Sequence, residues 1–497
     1  MSISQAKYLT NLPQVAYTAQ AVQTNEAEAA RLAGTTLSAL MQRAGAALFD
    51  YVSSLAPSGP ILILTGKGNN GGDGYVLARL CHQAGMRAEV LALFDPQQLQ
   101  GDAYEAYRDY LSSGGVVLDS MQPGSAPGLI VDAVFGSGFR GQLPENVAAV
   151  FRRFAQSSAH RLAVDIPSGV NGSTSEVACD AFIADATMTF IALKQGLLSG
   201  SAKRHTGSVY LAPLGVGQEF AQLVCPSSHY FSAETLLAKR PVRSIDTYKN
   251  RCGHVLLIGG GPGMAGAIRL AAEACLRAGA GLVSVATHPD NQAMVLQGRY
   301  ELMVHGVANA QELTPLLDKA DTLVIGPGLG QSEWAQALFE AVRSCEQHVV
   351  VDADGLNLLA SQPMQWQNAI LTPHWGEAMR LSTAVTTDAK TLSRFDMSNA
   401  LVQHYLACVV LKGPGTLVQQ AKRININRSG CAAMASAGMG DVLSGIIAAL
   451  LAQGLSKFDA AMLAVYIHGL AAEKAAHDGA HGLLASDLFV HIRGIIG

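Results

Sequence analysis

Short apolar runs alternate with amphipathic stretches along the first half of the chain. Runs such as Ile61–Thr65 are typical of strands buried on both faces of a parallel sheet. The stretches between them carry apolar residues three to four positions apart, which predicts helices. The predicted strands are 61–65, 88–94, 129–133, 162–165, 184–191 and 208–211, and the predicted helices are 24–52 (capped by Thr24), 75–85, 102–112 and 145–155. This alternation predicts an α/β domain built on a parallel sheet.

The same alternation restarts in the second half. Between the halves the pattern loosens from residue 214 onward, where glycine, proline and serine accumulate before a helix predicted near 233–239. The later predicted strands are 253–258, 281–286, 322–325, 349–351, 370–372 and 409–411, and the later helices are 268–278, 458–476 and 485–496. A chain of 497 residues is too long for one core. We therefore predict two α/β domains, 1–222 and 223–497.

Polar, glycine-bearing loops follow several strands of the first domain. The loop 66–74 carries two asparagines and an aspartate among its glycines, but it is neither a GxGxxG fingerprint nor a P-loop. Its amides and carboxylate can coordinate a cation or bind a ribose while its N–H groups meet a phosphate. The aspartates at these strand ends are Asp73, Asp132 and Asp165. Because ligands bind at the carboxyl ends of strands in open α/β sheets, these aspartates predict a site.

The second domain repeats this arrangement in the loops 259–267, 326–330, 352–357, 372–377 and 412–416. Lys412 and Thr416 flank two glycines and can hold a phosphate through a cation and a hydroxyl. Glu377 and Asp354 can orient Mg²⁺ or water, or they can simply cap helices. His374 alone is ambiguous, because a solvated surface histidine has no need of a function.

A glycine-rich turn at 438–445 precedes an apolar helical run and delivers one carboxylate, Asp441, to its first turn. Gly438 and Gly440 allow the backbone to approach a ligand closely. The N-terminus of the helix favours an anion such as phosphate. Asp441 is therefore predicted to be the general base for a hydroxyl that attacks a phosphate. The simpler alternative is a capping aspartate in a tight turn.

Composition excludes several classes of function. The net charge of −4 gives no basic footprint for nucleic acid. The eight cysteines form no CxxC pair, which is typical of reduced thiols in a cytoplasmic protein. Neither a signal pattern nor an apolar run of membrane-spanning length is present, so no membrane partner is expected. Apolar helices that can reach the surface favour a homo-oligomer.

The first-half motifs resemble those of the NAD(P)H-hydrate epimerase domain. The matching pieces are Asn69-Asn70-Gly71-Gly72-Asp73, Val131-Asp132-Ala133 with Gly136-Ser137-Gly138, and Asp165-Ile166-Pro167-Ser168-Gly169. This resemblance implies a Rossmann-like three-layer domain that exchanges the R and S hydrates at C6 of the nicotinamide ring. It implies that Asp165 transfers the proton and that K⁺ is held by Asn70, Asp132 and Ser168. It implies that the hydrate is bound by Asn69, Asn70, Gly71, Gly72, Asp73, Gly136, Ser137, Gly138, Phe139, Arg140, Gly141, Gln142 and Asp165.

The second half is similar to the ADP/ATP-dependent NAD(P)H-hydrate dehydratases, which have a ribokinase-like α/β fold. The matching pieces are Gly326-Pro327-Gly328, Asp352-Ala353-Asp354, Thr372-Pro373-His374, Lys412-Gly413-x-Gly415-Thr416 and Gly440-Asp441. The resemblance implies that ADP or ATP, with Mg²⁺, phosphorylates the ring hydroxyl of the S hydrate before elimination, with Asp441 as the base. Hydrate contacts would come from Ala267, Gly328, His374 and Asp441. Nucleotide contacts would come from Lys412, Gly413, Pro414, Gly415, Thr416 and Gly440.

The order of the two domains resembles the bacterial family of bifunctional NAD(P)H-hydrate repair enzymes, which act on hydrated NADH and NADPH. Two alternatives remain open at this point. A ribokinase-like kinase of a small alcohol would explain the second domain but would leave the loop 66–74 without a role. Alternatively, the first domain is a nucleotide-binding or interaction module without catalytic activity. The sequence leaves open the choice between ADP and ATP, the choice between NADH and NADPH hydrates, and any exchange of substrate between the sites.

Overall fold

The computed structural model describes residues 7–118, 120, 126–383, 386 and 388–497. They form two compact units, Met1–His229 and Tyr230–Gly497. In the first unit the strands are β1 (Val15–Ala16), β2 (Ile61–Thr65), β3 (Ala88–Ala92), β4 (Val117–Leu118), β5 (Leu129–Ala133), β6 (His160–Val164), β7 (Ala186–Phe190), β8 (Ser208–Ala212) and β9 (Ser228–His229). The helices are α1 (Ala19–Leu32), α2 (Leu37–Leu55), α3 (Asn69–Gln83), α4 (Gly101–Ser112), α5 (Glu145–Phe154), α6 (Lys203–Thr206) and α7 (Gly217–Leu223).

The sheet of the first unit is parallel throughout, in the order β4-β3-β2-β5-β6-β7-β8. Alternate residues of β2 face opposite sides of it. Ile61 and Ile63 belong to a core with α2, α3 and α4, whereas Leu62 and Leu64 belong to a second core with α5. Because both faces are covered by helices, every residue of β2 is buried and the strand reads as a continuous apolar run. The predicted Rossmann-like three-layer domain is confirmed.

Three predictions near the start of this unit are wrong. The single helix 24–52 is two helices, because Gly34 has a φ of 65° and Thr36 caps α2 by accepting from the N–H of Ala39. Thr24 lies inside α1, whose cap is Thr18. The loop 66–74 also ends earlier than predicted, since α3 already begins at Asn69. Its asparagines and Asp73 therefore lie in the first turns of a helix.

The second unit contains the strands β10 (His254–Ile258), β11 (Leu282–Thr287), β12 (Met303–Gly306), β13 (Thr322–Ile325), β14 (His348–Val351), β15 (Ala369–Leu371), β16 (Cys408–Leu411), β17 (Leu417–Gln420) and β18 (Arg423–Ile426). Its helices are α8 (Ala233–Leu237), α9 (Ala265–Arg277), α10 (Gln292–Leu296), α11 (Ala310–Leu317), α12 (Glu333–Arg343), α13 (Ala353–Ser361), α14 (Trp375–Thr383), α15 (Arg394–Tyr405), α16 (Met439–Ala452), α17 (Lys457–Ala475) and α18 (Leu488–Ile496).

The sheet of this unit runs in the order β18-β17-β16-β15-β14-β13-β10-β11-β12. It is parallel from β16 to β12, and β17 and β18 extend it as an antiparallel edge. Val255, Leu257 and Val324 pack against α9, α16 and α17, and the intervening Leu256 and Leu323 are equally buried. The predicted parallel α/β class is therefore confirmed, and the edge hairpin was not predicted.

Candidate active sites

A cavity of about 580 Å³ opens in the first unit where β2, β5 and β6 end. The predicted site residues on its lining are Asn69, Asn70, Asp73, Gly136, Ser137, Gly138, Phe139, Arg140, Gln142 and Asp165. The predicted residues outside its lining are Gly71, Gly72, Gly141, Asp132 and Ser168. A Cβ on Gly71 would lie 2.3 Å from the carbonyl oxygen of Gly66, so this glycine permits α3 to pack against the preceding turn. The strand-end loops thus converge on one cavity.

Asp165 is the most heavily hydrogen-bonded carboxylate of this cavity. It follows β6 with a φ of 62°, a region that few residues other than glycine adopt. Oδ1 accepts from Lys194 Nζ at 2.6 Å and Thr189 Oγ1 at 3.2 Å, and Oδ2 accepts from Ser137 Oγ at 2.6 Å. Burial alone would raise the pKa of this carboxyl, but Lys194 and the other donors outweigh burial and hold it below the usual value. Asp165 is therefore ionised.

Lys194 is a site residue that the sequence analysis missed. Its side chain is 1% exposed, and Nζ also donates to the carbonyl oxygen of Phe190 at 2.6 Å. A buried lysine is tolerated only with a partner, and Asp165 supplies the compensating charge. The available signal was a single lysine at the end of the apolar run Ile191-Ala192-Leu193.

An oxygen-rich cluster lies beneath the loop that follows β5. Ser168 donates to Asp132 from its backbone N–H at 2.7 Å and from Oγ at 2.6 Å. Asn70 Nδ2 donates at 3.0 Å to the carbonyl oxygen of Phe135, which lies 3.3 Å from Ser168 Oγ. Burial raises the pKa of Asp132 to about 6, although its bonds to Ser168 oppose this. The structure thus brings the three predicted K⁺ ligands together in one hydrogen-bonded cluster, in which Ser168 links Asp132 to the Phe135 carbonyl oxygen.

The loop 136–142 is held in place by its own side chains. Arg140 donates to the carbonyl oxygens of Ser137 and Phe139, and Phe139 packs on Phe135. Gln142 accepts from the N–H of Cys179 at 3.4 Å. A Cβ on Gly136 would lie 3.1 Å from Asn70 Oδ1 and would crowd this amide. The loop is therefore fixed beside Asp165, to which Ser137 donates a hydrogen bond.

In the second unit, α16 presents Asp441 in its first turn. Gly438 caps this helix with a φ of 84°, a conformation that disfavours other residues. Burial, followed by the charge of Asp352, raises the pKa of Asp441 to about 7, with Lys412 opposing and Asp354 and Glu377 adding to the rise. A carboxyl with a pKa near neutrality is suited to take up and release a proton.

Lys412 is fixed beside that helix by buried carboxylates. Nζ donates to Asp352 Oδ1 at 2.9 Å and lies 3.9 Å from Glu377, while Ser444 donates to the other oxygen of Asp352 at 2.7 Å. Burial alone would lower the pKa of Lys412, but Asp352 and Glu377 raise it, so the ammonium is charged. A Cβ on Gly440 would lie 3.2 Å from this Nζ. The ammonium of Lys412 therefore lies beside the N-terminus of α16, and together they favour binding of an anion.

The other predicted residues of this site lie in the loops around Asp441 and Lys412. Gly413 donates to Thr416 Oγ1 at 3.3 Å, which closes the turn containing Pro414 and Gly415. The His374 N–H donates to Glu377 Oε2 at 2.8 Å. A Cβ on Gly328, whose φ is 59°, would lie 3.2 Å from Ala267 Cβ, so these residues adjoin. Asp354 accepts from the Gly330 N–H at 2.8 Å and therefore anchors a loop.

Sequence reasoning assigned no role to Asp352 or His468. Asp352 is 1% exposed and ties β14 to α16 and to Lys412, which is distant in sequence. His468 is 6% exposed, and its Nε2 has no hydrogen-bond partner among the described residues. Burial, with Lys412 nearby, lowers the pKa of His468 to about 4, so it is neutral. Only the Asp-Ala-Asp motif gave a signal for Asp352.

Among the described residues, no group of three or more His, Cys, Asp or Glu side chains is arranged to hold a metal ion. The cluster around Asp132 is of a different kind, because its other oxygens belong to an amide, a hydroxyl and a backbone carbonyl group. In the same described part of the chain, no helix is both long and apolar enough to cross a lipid bilayer.

The fold and the sites define a class: a two-domain α/β protein in which each domain carries a buried carboxylate–lysine pair at the carboxyl ends of its parallel strands. Residues 255–493 match the family described as NAD(P)H-hydrate dehydratase, and residues 37–196 match the YjeF-related protein N-terminus. The chain is 42% identical over 461 residues to a bifunctional NAD(P)H-hydrate repair enzyme of Coxiella burnetii, covering 92% of this chain and 94% of that one. It is 42% identical over 491 residues to the Escherichia coli enzyme of that name, covering 98% and 95%.

The chain therefore belongs to the family of bifunctional NAD(P)H-hydrate repair enzymes. Among solved structures, a hypothetic protein from Streptococcus mutans is 31% identical with a TM-score of 0.50, covering 54% of this chain and 98% of that one. The family membership confirms the resemblance found in the sequence and favours the repair enzyme over the kinase of a small alcohol.

Proposed function

We propose that the first unit exchanges the R and S configurations at C6 of hydrated NADH and NADPH, and that the second dehydrates the S form with ADP or ATP. The observation that carries this proposal is the presence, in one chain of this family, of two separate carboxylate sites. Asp165 lies in the first unit and Asp441 in the second, each with its own lysine. We assign the activities to residues 1–222 and 223–497. A homo-oligomer, the absence of nucleic-acid partners and a cytoplasmic location stay predictions.

In the dehydratase, Asp441 takes the proton of the ring hydroxyl, whose oxygen attacks the terminal phosphoryl group of the nucleotide. Lys412, held by Asp352, and the N-terminus of α16 stabilise the negative charge of that group. AMP or ADP leaves. Phosphate then departs from C6 with the C–O electrons, and the C5 proton passes to solvent as the C5–C6 double bond forms. Hydroxide is a poor leaving group and phosphate a good one, which accounts for the use of a nucleotide.

Mg²⁺ in this site would be held chiefly by the nucleotide. Asp354 already accepts from Gly330 and Asn357, and Glu377 already accepts from His374 and lies near Lys412. Mg²⁺ commonly binds through one or two carboxylates plus substrate phosphates, and this arrangement suits that mode. The ion would neutralise charge on the phosphates.

In the epimerase, K⁺ would be held by Asn70, Asp132, Ser168 and the carbonyl oxygen of Phe135. The donor set fits, because all of these groups offer oxygen and they already converge through hydrogen bonds. The ion would balance the buried charge of Asp132 and hold the loop 136–142 in position. Asp165 would face the ring as a fixed negative charge, held in place by its hydrogen bond from Lys194.

The direct test of the dehydratase assignment uses purified S hydrate of NADH with ADP or ATP. We expect reduced-nicotinamide absorbance and inorganic phosphate to appear in equal amounts, and the faster nucleotide identifies the preferred donor. Consumption of nucleotide with accumulation of a stable phosphorylated product would instead indicate a kinase.

The rate of dehydration is expected to rise with pH up to about 7 and to level off above it. Asp441 must be ionised to accept the proton, and its pKa is raised to about 7, so its active fraction grows as pH increases through that value. The measurement is kcat for the S hydrate at saturating nucleotide across that pH range. A rate that falls as pH rises through this range would contradict the role of Asp441 as base.

Replacing Ser168 by Ala is expected to abolish a K⁺-specific stabilisation of the first unit. The substitution removes an oxygen ligand and one donor to Asp132. A ligand that binds only the folded state raises its stability, so KCl should raise Tm more than tetramethylammonium chloride at equal ionic strength in the wild type. Ser157→Ala, away from the cluster, serves as the matched control. Equal effects of the two salts on the wild-type protein would contradict a K⁺ site.

A further inference from the structure

We propose that Asp73 is the catalytic residue that delivers a proton to the C6 oxygen of the hydrate and is then reprotonated through solvent, while Asp165 remains an ionised anchor. This proposal rests on the epimerase function proposed above. It assigns chemistry to a side chain that the resemblance treats only as a contact to the hydrate, and it moves the proton away from Asp165.

The geometry separates the two carboxyls, although both line the same cavity. Asp165 is saturated, because Lys194, Ser137, Thr189 and the backbone N–H of Phe190 all donate to it. A carboxylate with four donors is a weak base, since protonation would break those bonds. Within the described part of the chain, no hydrogen bond reaches the carboxyl of Asp73. Its oxygens are therefore available to a substrate.

The surroundings of Asp73 disfavour its charged form. Three ionisable groups face it from other elements: Asp165 after β6, Glu26 on α1, and Lys194 after β7. Burial, then the charges of Asp165 and Glu26, raises the pKa of Asp73 well above its usual range, with Lys194 opposing. On the other side, Met41 of α2 packs against the neighbouring Gly72. When one cavity holds a protonated and an ionised carboxyl, the protonated one can act as the acid and the ionised one can stabilise positive charge.

The proposed epimerisation needs only one protein acid, Asp73. Asp73 gives its proton to the C6 hydroxyl oxygen, the C6–O bond breaks with both electrons on oxygen, and water leaves. The N1 lone pair forms the C6–N1 double bond, which gives a planar cation that the negative charge of Asp165 stabilises. Water then adds to the other face of C6, the π electrons return to N1, and the proton lost by the adding water passes through solvent to restore protonated Asp73. Neither an oxidant nor another reactant is needed.

The test compares the rates of exchange between separated R and S hydrates for full-length variants. Asp73→Asn is expected to slow epimerisation about 10²–10⁴-fold with little change in KM, because the acid is lost and the shape of the site is kept. Asp73→Glu is expected to recover part of the rate. The exposed Asp109→Asn on α4 is the matched control and should behave as the wild type. Dehydration of pure S hydrate should be unaffected in all three.

Two further readouts distinguish catalysis from a structural role. Epimerisation in ¹⁸O-labelled water should place one labelled oxygen on C6 for each inversion, because the original oxygen leaves as water. The residual rate of Asp73→Asn should lose the pH dependence that the wild type shows. Three results would each overturn the proposal. The first is epimerisation by Asp73→Asn at the wild-type rate and pH profile, and the second is inversion without incorporation of ¹⁸O. The third is loss of catalysis in Glu26→Gln but not in Asp73→Asn. Absence of epimerisation in the wild type would instead refute the proposed function.

Discussion

Replacing Asp441 by Asn is expected to slow dehydration about 10²–10⁴-fold while epimerisation continues at the wild-type rate. The amide keeps the size of the side chain in the first turn of α16 but cannot accept the proton of the ring hydroxyl. The measurement is reduced-nicotinamide formation from the S hydrate with saturating nucleotide, alongside R-to-S exchange without nucleotide.

Folding of this variant provides its control. The pKa of Asp441 is raised from 3.8 to about 7, so stability of the folded unit falls as pH rises through that range, and the penalty is complete above it. Asn removes this penalty, and the variant should unfold at a temperature no lower than that of the wild type at alkaline pH. Dehydration at an undiminished rate in a folded variant would exclude Asp441 as the base.

Replacing Asp165 by Asn is expected to have the reverse effect, slowing epimerisation about 10²–10³-fold and leaving dehydration of the S hydrate unchanged. The substitution removes the fixed negative charge that would stabilise a cationic ring. It also leaves Lys194 buried without its counter-charge, which destabilises the first unit. The measurement is the exchange rate between separated R and S hydrates.

The double variant Asp165→Asn/Lys194→Met separates stability from catalysis. Removal of both charges should recover much of the lost Tm, because no unpaired ion remains in the core, but it should not recover epimerisation. Loss of both activities in a folded Asp165→Asn protein would contradict two independent sites.

The sequence predicted strands with continuous apolar runs most accurately. Ile61–Thr65, Leu129–Ala133 and Thr322–Ile325 have the predicted bounds, because strands buried on both faces admit little polar interruption. The strands β17 and β18 were missed, since Gln420 and Arg423 at their shared turn leave short segments without a clear period. Predicted helix bounds were wrong where a capping residue sets the end of the helix. The chain leaves α1 after Leu32, turns at Gly34 and starts α2 after Thr36, a break that periodicity alone does not reveal.

The candidate sites were predictable where the chemistry is local. Asp441 follows its glycines directly, and the resemblance predicts the cluster of Asn70, Asp132 and Ser168 that the structure contains. Contacts between distant segments were not predictable. Lys194 lies 29 positions from Asp165 and Lys412 lies 60 positions from Asp352, so only the folded chain reveals these pairs. The assignment of roles to Asp165 and Asp73 likewise depends on their hydrogen-bond partners.

Both activities are measured together by the recovery of reduced-nicotinamide absorbance from a mixture of R and S hydrated NADH, with Mg²⁺, K⁺ and ADP or ATP. We expect full recovery with the wild type, because the R form passes through the first site to the second. With Asp165→Asn, we expect recovery to slow sharply once the S form is spent. Wild-type recovery that also stops at that point would contradict epimerisation by the first unit, and no recovery with either nucleotide would contradict dehydration by the second.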